Sequence, residues 1–288
     1  MKEKVSVIVV TYNRPKDVME TIESLFNQSV KPFEVIVIDD GSNFHPNIEF
    51  RAETLKVIRF DQEVGLSNAR NYGINIAKGD YIAFIDDDAI AEKKWIEEIK
   101  KGLENADVIG GAIKPLYQAT PPEWWNEKDF GGVAGAGNEW GDDVIWKIWG
   151  CNMAFRTHVF KKIGLFNPNL GRRKGKLFSF EEIDLINRAR GKGFNVQFIP
   201  AAVVYHKVPP KRMTISYLLR FFFYSGRSKK IQEGFRPQKT CIEILSYFSA
   251  MTNPIRIVEE KPGETKISAR THAIKRIAWM AWQLGRLF

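Results

Sequence analysis

The chain has 288 residues, 44% of them hydrophobic, and a formal net charge of +9. That is enough apolar material to bury a core in one large domain, or in one domain with an extension. Two isolated cysteines, Cys151 and Cys241, exclude a disulfide framework and a zinc-ligand spacing, and no apolar run approaches the ~18 residues of a membrane span.

The first strand is read at Val5 to Val10, because Lys2 and Lys4 precede only six apolar residues, too few for a signal-peptide core. The expected location is therefore inside the cell. A helix follows over Pro15 to Gln28, with Val18, Ile22, Leu25 and Phe26 on one stripe and Pro15 in its first turn. Phe33 to Ile38, Leu55 to Phe60, Tyr81 to Ile85 and Val108 to Ile113 read as further strands. Helices are expected from about Leu66 to Lys78 and from Glu92 to Glu104. Strand and helix thus alternate through the first 114 residues, as in a βαβ architecture with a mainly parallel sheet. Residues 115 to 145 break the pattern with prolines, glycines and three tryptophans, and read as a lid or binding segment. Phe180 to Arg190 is a predicted helix, and Asn195 to Ile199 and Val203 to Tyr205 are predicted strands.

Two of these strands end in aspartates: Val35 to Ile38 before Asp39-Asp40, and Tyr81 to Ile85 before Asp86-Asp87-Asp88. In open α/β sheets ligands bind at the carboxyl ends of strands, where these acids fall. Residues two apart in an extended segment share a face, so Asp86 and Asp88 can converge on one cation. Hard oxygen donors suit Mg2+ or Mn2+, with substrate phosphates completing the shell.

The segments SVIVVTYNRP, IDDGS, GLSNARNYGINIAKGDYIAFIDDDA, GCNMAFRTHVFKKIGLFNP and FEEIDLINRARGKGFNVQFIPAAVVYH together resemble a family 2 glycosyltransferase of GT-A fold, over roughly residues 4 to 206. The resemblance implies metal-dependent, usually inverting transfer of a sugar from a nucleoside diphosphate sugar to an acceptor hydroxyl. It places Thr11 and Tyr12 in the nucleotide pocket and Asp40 against the base, with Asp39 as the adjacent alternative. Arg70 is set near phosphate or base, and Asp86, Asp87 and Asp88 form the turn where ribose and metal bind, Asp88 being the direct ligand. The catalytic base maps to Glu182, with Glu181 the alternative, because the family's usual Glu-Asp pair is Glu181-Glu182 here. His206, at the end of an apolar strand, divides evenly between a buried core histidine and a metal or diphosphate contact. Trp149, Asn152 and Arg156 map to the acceptor side, and Asn68 and Gly73 to capping and packing of their helix.

Residues 207 to 288 carry 16 basic and 5 acidic groups, net +11, whereas residues 1 to 206 net −2. The expected organisation is a catalytic domain over 1–206, with a donor half to residue 114 and an acceptor half after it, followed by a basic amphipathic helical extension. Ile274, Ile277, Ala281, Leu284 and Phe288 form an apolar helical stripe flanked by Lys275, Arg286, Trp279 and Trp282. That stripe fits either an anionic membrane surface, with the protein peripheral on the inner face of the cytoplasmic membrane, or packing on the protein or a second copy. The expected acceptor is a carbohydrate or a lipid-linked saccharide of surface polysaccharide or glycolipid synthesis. Nucleic acid is disfavoured, since no recognised binding signature is present. The rival readings are a sugar nucleotidyltransferase, which lacks support in the N-terminal loop, and a non-catalytic nucleotide-sugar or nucleic-acid binder.

Overall fold

The computed structural model describes residues 3–43, 52–134, 143–233 and 266–288. Cys241 and the glycines Gly135, Gly137 and Gly141 with Trp140, singled out from the sequence, lie outside these residues. Eight strands form one mixed sheet in the order β3-β2-β1-β4-β7-β6-β8-β5. Its first half is parallel: β1 (Val5–Thr11), β2 (Glu34–Asp39), β3 (Leu55–Arg59) and β4 (Tyr81–Asp86). In the second half β6 (Val108–Tyr117) runs parallel to β8 (Val196–Val208), while β7 (Asn152–Arg156) is antiparallel to β4 and β6, and β5 (Ala89–Ala91) to β8.

The β-branched central strands are buried on both faces, which is why their sequence shows no polar alternation. Side chains of Val5, Val7, Val9, Val35, Val37, Ala83 and Ile85 point to one layer, made by α1 (Pro15–Phe26) and α3 (Trp95–Asn105). Ile8, Ile36, Ile38, Ile82 and Phe84 point to the other, made by α2 (Leu66–Ile76), α5 (Thr157–Ile163) and α6 (Glu181–Gly191). The short helix α4 spans Glu127–Phe130.

The structure differs from the sequence reading at β5, at β7, at β8 and over 115–145. β5 and β7, of three and five residues, are too short to announce themselves, and exist because β8 and the β4–β6 gap supply their backbone partners. The two strands expected over 195–205 are one strand, whose apparent break at residues 200–202 is an irregularity: Ile199 pairs with Gly111 but Val203 with Ala112. The 115–145 segment, in its described part, contributes Trp124, Trp125 and Phe130 to an aromatic cluster with Leu218 and Phe221.

That cluster joins the body to the extension, which consists of α7 (Ile215–Glu233) and α8 (Lys266–Leu287). Thr271 donates to the Trp124 carbonyl, Lys275 pairs with Asp129, and Ser228 accepts from the Ser179 amide. The expected apolar stripe is divided: Ile274 is buried, Ala281 half-buried, and Ile277, Leu284 and Phe288 are exposed. No described helix is long and apolar enough to cross a membrane.

The two helices cross with their backbones touching. A Cβ on Gly226 would strike the Trp282 carbonyl, and one on Gly285 the Phe223 carbonyl. Gly285→Ala therefore forces the helices apart, and equilibrium urea unfolding should show a loss of about 1–3 kcal/mol. A variant as stable as the wild type would contradict this crossing.

Candidate active site

The site lies at the carboxyl edge of β1 and β4, where the parallel strands end and helices begin. β4 delivers Asp86, and the turn to β5 carries Asp87 and Asp88. Pairing of β5 with β8 then sets Ala89 opposite His206, and the Lys207 amide donates to the Asp88 carbonyl at 2.9 Å. A tight 3-10 turn over Pro210–Met213 follows β8 and brings Arg212 to the same place.

The three aspartates are held by cations from distant segments. Arg14 Nη1 donates to Asp87 Oδ1 at 2.8 Å and to Asp88 Oδ2 at 2.6 Å, and Arg212 Nη2 donates to Asp88 Oδ2 at 2.8 Å. His206 Nε2 lies 3.2 Å from Asp88 Oδ1 and 3.9 Å from Asp86 Oδ2. Thr11 Oγ1 donates to Asp87 Oδ2 at 2.8 Å. Burial opposes ionisation of Asp88, but the charges of His206 and Arg212 outweigh it and hold the carboxyl well below its ordinary range. Asp87 goes the other way: burial dominates over Arg14, and the negative charge of Asp88 adds to it, lifting Asp87 to about 6. His206 would be lowered by burial, yet Asp88 and Asp86 raise it.

Arg70, from the middle of α2, ties this cluster to the start of α6. Its Nη1 donates to Glu181 Oε1 at 2.9 Å, and Nη2 to Asp86 Oδ1 and the Gly150 carbonyl, both at 3.1 Å. A Cβ at Gly150 would sit 2.8 Å from that Nη2, so a side chain there would displace the guanidinium from its partners. α6 begins immediately after Phe180, whose φ of 71° is left-handed, and its first two residues are the buried acids Glu181 and Glu182. Glu181 is consumed by Arg70. Glu182 Oε2 has no hydrogen-bond partner, and burial, then the neighbouring Glu181 charge, push its carboxyl up to about 8.

A cavity of about 340 Å³ opens between these groups. Of the residues singled out from the sequence, Thr11, Tyr12, Asp40, Arg70, Asp86, Asp87, Trp149, Glu181, Glu182 and His206 line it. Asp88 is bonded to two of its arginines, Arg14 and Arg212. Asp40 accepts from the Val64 and Gly65 amides at 2.7 and 3.0 Å; burial lifts it to about 6 against those two bonds.

Three expected site residues are not brought there. Asp39 is turned to Arg59 and the Ser42 amide, which use its carboxylate in the β2–β3 edge. Asn152 spends its amide on the Ala112 and Ala202 carbonyls and accepts from Trp95 Nε1, bridging the irregularity between β6 and β8. Arg156 likewise serves the end of α3 through the Ala106 and Glu104 carbonyls. Gly73 packs α2 against Ile8 as read, whereas α2 has Gly65 at its N-cap and no side-chain cap, and Asn68 donates to the Val64 carbonyl.

Sequence reasoning missed Arg14, Cys151, Arg172, Arg173, Lys176 and Arg212, all of which line the cavity. The Asn-Arg-Pro that follows β1 was the available signal for Arg14. Ligand atoms of Asp86, Cys151 and His206 lie within 4.8 Å of one another, and Asp88 Oδ1 and His206 Nδ1 are buried without a hydrogen-bond partner. The carboxylates of Asp86 and Asp88 with the facing Nε2 of His206 are a set of oxygen and nitrogen donors that fits a divalent cation of the Mn2+ or Mg2+ type. The buried Cys151 thiol, pushed well above its ordinary value by burial and by Asp86 and Asp88, is protonated and a poor ligand for so hard an ion.

This arrangement agrees with what the chain is similar to. It is 30% identical over 247 residues to the glucosyl-dolichyl phosphate glucuronosyltransferase of Haloferax volcanii, covering 82% of this chain and 79% of that protein. It is 28% identical over 240 residues to the succinoglycan biosynthesis protein ExoM of Rhizobium meliloti, covering 78% and 73%. Its fold matches that of the mannosyltransferase PcManGT from Pyrobaculum calidifontis, solved with GDP-Man and Mn2+, at a TM-score of 0.61 and 16% identity, over 100% of this chain and 86% of that one. The model of glycosyl transferase family 2 matches residues 6–164. Strand-end aspartates, mixed sheet and family match lead to one statement: the chain belongs to glycosyl transferase family 2 and is a glycosyltransferase of GT-A fold.

Proposed function

We propose that the protein transfers a sugar from a nucleoside diphosphate sugar to an acceptor hydroxyl with inversion, and that a divalent cation is required. The carrying observation is one cavity with Asp86 and Asp87 of the strand-end turn in one wall and Glu182, whose Oε2 has no hydrogen-bond partner, in another. Thr11, Tyr12 and Asp40 take the nucleoside. Asp88, Asp86 and His206 hold the cation, which when bound supplies positive charge to the diphosphate. Arg14 and Arg212 border the same place and are suited to the leaving phosphates as planar donors. Glu182 accepts the acceptor's proton while the new C–O bond forms at the anomeric carbon and the bond to the diphosphate breaks. Glu181 is a positioning residue, fixed by Arg70. Trp149 presents an aromatic face to the sugar. Similarity to the Haloferax and Rhizobium proteins supports an acceptor saccharide carried on a lipid or a growing polysaccharide.

Asp88→Ala removes the shared partner of Arg14, His206 and Arg212. Calorimetry with UDP, GDP and dTDP in Mn2+ or Mg2+ should show cation-dependent binding by the wild type and none by the variant. Equal affinity in both would end the cation assignment.

Glu182 supports a pH test whose sign is fixed. Its carboxyl is neutral below about 8 and only the ionised form accepts a proton, so kcat/KM for transfer should rise with pH along a limb near 8. Glu182→Gln should lose that limb and at least ~100-fold of the rate while retaining donor affinity. The same group gives a stability signature. The folded protein keeps a proton that the unfolded chain releases near 4.5, so this contribution is complete below 4.5 and lost as pH rises through about 8. Full turnover in Glu182→Gln, with loss in Glu181→Gln, would move the base by one residue.

A further inference from the structure

A second cavity, of about 300 Å³, adjoins the first and shares Trp149, Ser179, Glu182 and Phe221 with it. The rest of its wall is almost entirely apolar: Ile148 and Trp146 from the turn before β7, Ile183 from α6, Phe222 from α7 and Trp282 from α8. Apart from Glu182, at the junction with the first cavity, the serines and Trp149 are already used. Ser225 Oγ shares a hydrogen bond with Ser179 Oγ at 3.2 Å, and Trp149 Nε1 donates to the Trp146 carbonyl. A free saccharide entering here would leave its hydroxyls unpaired, at a cost hydrocarbon does not incur.

The polar side of the junction has the opposite character. The loop Gly171 to Lys176 sets Arg172, Arg173 and Lys176 along the first cavity, and among the described residues none of the three pairs with a carboxylate. Arg172 donates to the Tyr217 hydroxyl, and Arg173 to the Pro168 carbonyl while lying 4.9 Å over the Phe178 ring. Leu177, Phe178 and Ser179 lead from this loop to Glu182 and line the first cavity along the way.

From these two surfaces we propose that the acceptor is an anionic amphiphile. Its alkyl or isoprenyl chain occupies the 300 Å³ cavity, its phosphate lies at Arg172, Arg173 and Lys176, and the hydroxyl to be glycosylated reaches Glu182 between them. This rests on the glycosyl-transfer reading and names the acceptor class for it. One side of the chain-binding wall is built by α7 and α8, so the extension is part of the acceptor site.

The test uses the tryptophans in the wall as reporters. Fluorescence of the full-length protein is titrated with n-alkyl phosphates from butyl to dodecyl and with farnesyl phosphate, below their micelle concentrations, and with n-alkanols and inorganic phosphate. Affinity for the phosphates should rise about three- to fourfold per methylene until the cavity is filled. Alkanols of equal length should bind more weakly and without the salt dependence of the phosphates, and inorganic phosphate weakest of all. Ser225→Leu, which fills the cavity, should stop the rise at a shorter chain. Trp146→Ala, at an exposed rim position, should flatten it and serves where the filled core does not fold. Arg172→Gln with Arg173→Gln should abolish the advantage of phosphate over alkanol. Affinity independent of chain length, or a series untouched by these variants, overturns the proposal. UDP, GDP and dTDP with Mn2+, followed by thermal shift, separate the two readings. A nucleotide response without a chain-length gain overturns the amphiphilic acceptor and leaves glycosyl transfer standing. A chain-length gain without any nucleotide response overturns both, since the cavity then holds a ligand that is no acceptor.

Discussion

Five carboxyl groups, Asp86, Asp87, Asp88, Glu181 and Glu182, face one small region of the protein, four of them buried and Asp86 partly so. Removing ionised carboxylates from water costs several kcal/mol each unless cations and hydrogen bonds compensate. The chain meets this with three arginines, Arg14 after β1, Arg70 in α2 and Arg212 in the turn beyond β8, and with the imidazole of His206 at the end of β8. Each ion pair therefore also closes a tertiary contact. Arg70 is the centre of that web, because a single planar fork reaches Asp86, the Gly150 carbonyl and Glu181. A lysine has one compact charge and could not span these partners.

The same web explains why Glu182 is different from its neighbour. Two adjacent acids open α6, where the helix dipole favours negative charge, but only one receives a cation. With Arg70 taken by Glu181, Glu182 is left buried, beside a negative charge and without a hydrogen-bond partner on Oε2. Environments that push two neighbouring titratable groups apart separate an anchoring acid from a proton acceptor. The environment of Glu182 is thus set by the chain's own pairing, with the left-handed Phe180 fixing the start of the helix.

How far the sequence could be read follows from how local each signal is. Both-face burial of β1, β2 and β4 shows in their uninterrupted apolar runs, and the aspartates at their ends follow from chain direction alone. The partners of those aspartates do not: Arg14 lies 73 positions from Asp87, and Arg212 124 from Asp88, and no periodicity links them. Asp39 and Asn152 show the converse. Their types and positions suit a site, but Arg59 and the β6–β8 irregularity claim their polar atoms, and only tertiary structure reveals a claim of that kind. Cys151 carried no ligand spacing in the sequence, and reaches Asp86 and His206 because β7 inserts between β4 and β6.

The charge of the extension teaches a related lesson. A surplus of +11 beside a body of −2 suggests an external anion, yet several of these cations find their counter-charges within the chain. Lys207 pairs with Asp17 and Glu20, Arg212 with Asp88, and Lys275 with Asp129. Arg286 is buried with its guanidinium 5.0 Å over the Trp282 ring. These contacts and the glycine crossing of α7 with α8 fix the helix pair against the catalytic body, where Phe221, Phe222, Ser225 and Trp282 complete the apolar cavity. Part of the charge segregated in sequence thus serves assembly of the molecule, because the anions that Lys207, Arg212 and Lys275 answer to lie on α1, on the β4–β5 turn and on α4.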